Sequence, residues 1–220
     1  MPYRRTDKVE ARLARARERL LRTARQLIAE GGFRAAQVAE IAAEAEVGIG
    51  TIYRHFPSKA KLFAEVVSTV SRREVDVVVR IAEADGPASQ RLADAIGAFA
   101  SRALRGRGLA HAMIVEPVDP EVDEARLTHR RALGKALEAI LTDGVESGEF
   151  PAQDVSVTAA CLVGALLEGL IGPLAPTALH LDDDRARLID SIVACCLRAA
   201  SGKEPARLHY HCRTMGFSTL

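Results

Sequence analysis

Thr51, Tyr53, Arg54, His55 and Lys59 set a hydroxyl, a phenol, a guanidinium, an imidazole and an ammonium within nine residues of chain. Groups of these kinds donate hydrogen bonds to phosphate oxygens and to base edges in the major groove of a duplex. Between them stand Ile52 and Phe56, four apart, the spacing of one buried helical face. With those two turned inward, Gly50, Thr51, Arg54 and His55 fall on or near the outer face and Tyr53 at its edge. Gly48 and Gly50 would let a ligand backbone approach closely, and Thr51 offers a methyl beside its hydroxyl. Pro57-Ser58 ends the segment, and Ser58 can cap the helix that follows. Lys59 then lies near a helix start, where backbone N–H groups and an ammonium together favour an anion such as phosphate.

These groups need a scaffold, and the preceding residues supply one. Val38, Ile41, Ala42 and Ala45 recur at i, i+3, i+4 and i+7, a short amphipathic helix, before Val47-Gly48 breaks the pattern with a bend. Two short helices joined by a glycine-containing turn form a helix-turn-helix. Such pairs also occur in all-helical proteins of other kinds, so the residue string itself matters. The run VGIGTIYRHFPSK at 47–59 closely resembles the DNA-binding signature of the TetR family of bacterial transcriptional regulators, with Thr51, Tyr53, His55, Phe56 and Lys59 at the family's characteristic places. The resemblance is specific over residues 20–67, including Gly31-Gly32-Phe33 at the usual end of the first helix; beyond, it rests on length and helical character.

The resemblance implies an all-α protein. A three-helix DNA-binding domain over residues 1–60 would join a helical ligand-binding and dimerisation domain over 61–202, followed by a tail, 203–220. It implies DNA contacts from Gln37, Gly48, Ile49, Gly50, Thr51, Tyr53, Arg54, His55 and Lys59, and a basic N-terminal extension, here with Arg4 and Arg5, able to reach the backbone or minor groove. The sequence departs from the family at Ala36-Gln37, where threonines commonly cap the second helix and touch a phosphate. Gln37 keeps the reach for that contact; Ala36 cannot cap.

Charge distribution agrees with this division. The chain carries a net +1, yet residues 1–60 hold 12 Lys or Arg against 7 Asp or Glu, and residues 61–220 hold 18 against 22. A basic head on a mildly acidic body fits a DNA reader joined to a domain with another task. With aromatics at 4% and no Trp, the core must consist of Ala, Leu, Val and Ile, which suits closely packed helices. No signal-peptide core opens the chain, and no stretch is expected to reach the roughly 18 uncharged apolar residues of a membrane span. A cytoplasmic location with no membrane partner is therefore expected. Cys161, Cys195, Cys196 and Cys212 lack CxxC spacing and are expected to be reduced, packed thiols.

Helical periodicity continues along the chain. A first helix spans residues 11–30, its arginines read mostly as solvated surface, and a long helix at 58–84 bridges the two domains; in the resembling family that helix transmits ligand-driven motion to the DNA reader. Further helices are expected after Pro87, over 109–115 and over 121–146. The run VSVTAACLVGALLEGLI at 155–171, with Asp154 as its cap, is apolar nearly all round and must be covered on two sides. A partner subunit is the economical cover, and the resemblance implies a homodimer through 155–171 and 182–200.

No P-loop, GxSxG or HExxH is present, and no histidine stands in a helical i, i+4 pair with another ligand type that would suggest a metal centre, so no enzyme, metal or cofactor is expected. The HYHC run at 209–212 lacks the second pair of a structural zinc site. Glu168, alone in the apolar helix, must meet a hydrogen-bonding partner, another chain or a ligand. Arg102, His111, Met113 and Glu168 are the candidate lining of a ligand cavity. The expectation is a repressor released from palindromic double-stranded operator DNA by a small-molecule effector. Two alternatives remain: a redox-responsive regulator sensing through Cys195, Cys196 or Cys161, and a helical enzyme or scaffold with an incidental helix-turn-helix.

Overall fold

Apolar residues recur at helical spacing throughout, and the computed structural model, which describes residues 7–178 and 181–202, contains helices and no strands among those residues. In chain order these are α1 (Asp7–Ala35), α2 (Val38–Glu44), α3 (Ile49–His55), α4 (Lys59–Ala82), α5 (Ala88–Arg105), α6 (Arg107–Ile114), α7 (Pro120–Glu146), α8 (Val155–Leu174) and α9 (Leu181–Ser201). Arg4, Arg5, His180 and the segment 203–220, with its HYHC run, lie outside the described residues.

Two apolar clusters organise the molecule. The first joins Leu20, Ala24 and Ile28 of α1 to Ile41, Ala42, Ile52 and Phe56 of the helix-turn-helix and to Leu62, Phe63, Val66 and Val67 of α4. It also takes in Ala112 of α6 and Val122 of α7, so the small reading unit is closed from behind by the body. The second cluster fills the body between the end of α4 and α5, α7, α8 and α9, and it is built of Ala, Leu, Ile and Val with Phe150 its one buried aromatic. α4 runs through both and packs along α7, while α6 lies against α1.

Local choices fix the corners. Gly32, at φ +76°, interrupts α1 and turns Phe33 back into the core, where its ring lies 5.2 Å from that of Phe63. Ser58 caps α4 by accepting from the Lys61 N–H at 3.0 Å, and Asp154 caps α8 by accepting from the Val157 N–H at 3.0 Å. Glu149 accepts from the Ala88 and Ser89 N–H groups at 2.8 and 3.0 Å, so a carboxylate remote in sequence completes the start of α5.

α8 bears on two expectations. Its length and mean hydropathy of 1.9 are enough to cross a membrane by length and composition, while Glu168 interrupts the run and keeps it short of 18 uncharged residues. The reason it can be so apolar in a bundle is that one face packs on α5, α6, α7 and α9. Its opposite face, with Val157, Cys161, Gly164, Ala165 and Glu168, is exposed in the single subunit. Glu168 is thus not a buried carboxylate. The cysteines also divide: Cys196 is packed, but Cys161 and Cys195 are exposed.

Candidate nucleic-acid interface and effector cavity

The reading helix α3 is seated by two side chains. Ile52 is 1% exposed and Phe56 2%, as their spacing predicts, while Ile49, Tyr53 and Arg54 project outward and Thr51 is half-buried. None of the described residues approaches the positions where a side chain would stand on Gly48 or Gly50. The bend before α3 differs from the expectation. Gly48 is extended, at φ −72°, and Glu46 takes the left-handed conformation at φ 53°. Val47 N–H donates to Ala42 O at 3.0 Å and Glu46 N–H to Ala43 O at 3.1 Å, the paired bonds of a Schellman cap, and it is this cap that stops α2.

His55 is drawn back from the outer face. It is half-buried in a groove between α3 and the arginine-rich side of α1, its Nε2 without a partner among the described residues. Burial, then the charges of Arg54 and Arg17, lowers its pKa from the ordinary value and so favours the neutral imidazole. Arg17 is also more than solvated surface. It pairs with Glu65 of α4 at 2.8 Å and lies 5.0 Å from the centre of the Phe56 ring, tying α1 to the end of the reading helix.

Gln37 and Lys59 come together at the start of α4, where Lys59 Nζ donates to Gln37 Oε1 at 3.3 Å and lies 5.1 Å from the centre of the Phe63 ring. Glu40 accepts from the Gln37 N–H at 3.2 Å and so helps to cap α2 in place of a threonine. Ammonium, amide and helix N-terminus thus share one exposed spot, an arrangement able to hold a phosphate.

Inside the body, a cavity of about 350 Å³ lies among α1, α4, α5, α6, α7 and α8. Of the four residues expected to line it, Arg102 and Met113 do. Arg102 is held by Glu74 of α4, Nε to Oε2 at 2.6 Å and Nη2 to Oε1 at 2.9 Å. His111 is on α6 but outside the cavity wall, because the wall takes the face of α6 bearing Leu109, Ala110 and Met113. Glu168 is on the outer face of α8, in a separate groove with Arg131 and Lys135. Contrary to the expectation, those two residues therefore stand outside this cavity.

Sequence reading missed Glu74, Arg126, His129 and Arg130, all in the cavity wall. A signal existed. Val122, Arg126, His129, Leu133 and Leu137 follow the i, i+4, i+7 register of one α7 face, and Val122, Leu133 and Leu137 are core. Two polar residues in a core register mark a polar site within the bundle. Arg126 is only 8% exposed, donates to Ala112 O at 2.5 Å and to Glu116 O at 2.8 Å, and keeps a buried Nε without a partner among the described residues.

Comparison with known proteins agrees with this arrangement. Residues 20–66 match the family model for bacterial regulatory proteins of the tetR family, and residues 85–168 match the tetracyclin repressor-like C-terminal domain. The chain is 28% identical over 167 residues to the HTH-type transcriptional repressor KstR of Mycolicibacterium smegmatis, covering 76% of this chain and 80% of that protein. Among solved structures, FadR from Bacillus subtilis in complex with stearoyl-CoA shares the fold with a TM-score of 0.70 at 22% identity, over 85% of this chain and 99% of that one. FadR from Bacillus halodurans gives a TM-score of 0.67 at 21% identity, over 85% and 99%. With both the reading unit and much of the body matched by models of one family, the chain belongs to the TetR family of bacterial transcriptional regulators.

Proposed function

We propose that the protein is a cytoplasmic repressor, a homodimer that holds an approximately palindromic operator and lets it go when a small molecule fills the cavity behind α4. Regulators of this family bind operator DNA and small-molecule ligands and form dimers. The observation that carries the proposal is the seating of α3: Ile52 and Phe56 anchor it from behind, leaving Thr51, Tyr53 and Arg54 toward solvent beside the Gln37–Lys59 phosphate spot. Gly48, Ile49 and Gly50 form the open start of the helix, and His55 supports it from the α1 side. The exposed stripe of α8, together with the outer side of α9, is the surface by which two subunits join, setting two reading helices about 34 Å apart or a multiple of it. Effector binding acts because the cavity wall includes α4 and α1, whose other ends build the reading unit; the ligand shifts that arrangement only as far as it favours the released state.

Selection of duplexes from a random pool by the purified protein tests this directly. Enriched sequences should be near-palindromic, and a variant with Arg54 and Lys59 both changed to Ala should fail to enrich them. Equal enrichment by that variant would leave α3 without the assigned role. The redox alternative narrows to Cys161 and Cys195, since burial and the neighbouring Cys195 push the Cys196 thiol up to about 11 and keep it protonated. Cys161→Ser and Cys195→Ser should leave effector response intact; its abolition would favour the thiol sensor.

A further inference from the structure

The cavity wall has an imbalance of charge. Arg102, Arg126 and Arg130 stand there with Arg25 and His129, and Glu74 is the one carboxylate among the lining residues, already bound twice by Arg102. Arg126 is the decisive group. Its bonds go to two neutral carbonyls at the end of α6, which satisfy its N–H groups and favour its charge through the helix dipole but do not neutralise it. Glu116 and Asp123 lie near enough to favour the charge, yet neither carboxylate bonds it, and Glu116 accepts from the Phe33 N–H at 2.8 Å instead. Burial and the like charge of Arg130, one turn further along α7, work against it. The Phe33 ring, its centre 5.6 Å away, offsets part of the cost, but a guanidinium more than nine-tenths buried, with Nε unpartnered and no bonded counterion among the described residues, would be further stabilised by an anion. Arg105 adds a further positive charge and Ser71 a hydroxyl, and the other lining side chains, Phe99, Met113, Leu133 and Leu167 among them, are apolar.

We propose that this cavity takes an anionic amphiphile, an elongated apolar molecule ending in one acidic group, with the acid at Arg126 and Arg130 on α7 and the apolar body along Phe99, Met113 and Leu167. The proposal rests on the cavity being the effector site, and it gives the effector a charge that completes the wall. Arg130 also borders the groove beside Glu168, as do Ile114 and Leu167. A free carboxylate and a phosphate-bearing thioester share the required chemistry.

The test is titration calorimetry of the purified full chain, without DNA, using laurate, lauroyl-CoA, dodecanol and dodecyltrimethylammonium as probes. At least one of the two anions should bind tenfold or more tightly than dodecanol, and which anion wins identifies the acidic group. Arg130→Gln, an exposed position whose change leaves the core intact, should weaken anion binding about tenfold, the effect of one charge-assisted hydrogen bond, and leave dodecanol unaffected. Dodecanol or the ammonium binding as well as the anions, no anion binding, or Arg130→Gln without effect on it would each overturn the proposal. If an anion binds as expected but operator DNA stays bound, the proposed release mechanism fails and the ligand class stands.

Discussion

Lys59 and Gln37 are 22 residues apart and meet in one hydrogen bond, so an ammonium that would otherwise wander is held over the start of α4. A phosphate bound there releases counterions, and operator affinity should fall steeply with salt. Lys59→Ala should weaken binding across sequences and reduce the slope of log K against log salt by about 1, measured by fluorescence anisotropy over a salt series. Arg54→Ala should alter sequence preference as well. Glu46 holds a left-handed conformation that costs a non-glycine residue about 1 kcal/mol. Glu46→Gly should therefore raise stability by about 0.5–1 kcal/mol in urea unfolding. His129 belongs to the pH behaviour. Burial first, and Arg72 second, lowers its pKa below the ordinary value. Between about pH 6.5 and the lower folded value the unfolded chain binds more protons than the folded one, so stability is lost as pH falls through that window. His55 shifts in the same direction. Thermal unfolding from pH 8 to pH 5 should show this decline, and His129→Gln should make it shallower.

Between elements, the closest joint is where α6 meets α1. A side chain on Gly108 would overlap the carbonyl of Ala29, and one on Gly32 would overlap the Glu116 carboxylate that bonds Phe33. These two contacts set α6, which carries Leu109 and Met113 of the cavity wall, directly against the end of the first helix of the reading unit. A change in the cavity therefore has a short rigid route to the head, alongside the longer one through α4. Gly108→Ala should cost about 1–3 kcal/mol by overpacking and shift the effector concentration needed for DNA release. Urea unfolding and release titrations measure the two effects; a stable variant with unaltered release would remove α6 from the coupling.

At the scale of the whole molecule, α8 leaves Val157, Cys161, Gly164 and Ala165 uncovered on one stripe, and Val157 is 58% exposed. The small residues allow a second helix to approach closely, which suits a copy of the same face across a two-fold axis. Ala165→Glu should convert the protein to monomers in sedimentation and weaken operator binding by about a hundredfold, since each head would then bind alone. A dimer that survives the charge would move the interface elsewhere.

By itself the sequence determined the reading unit. Its chemistry is local: Ile52 and Phe56 face inward, and Tyr53 and Arg54 outward, because an α-helix fixes which neighbours share a face, and Ser58 caps α4 because a cap needs only the next three residues. Periodicity likewise announced the helices and the apolar character of α8. What only the tertiary structure decided were meetings between residues far apart in the chain: Gln37 with Lys59, Glu74 with Arg102, Glu116 with Phe33, and Glu149 with the start of α5. The cavity in the body is of the same kind. Its wall draws on helices whose mutual rotation no local pattern specifies, so His111 and Glu168, both on expected helices, point away from it while Arg126 and Arg130 line it.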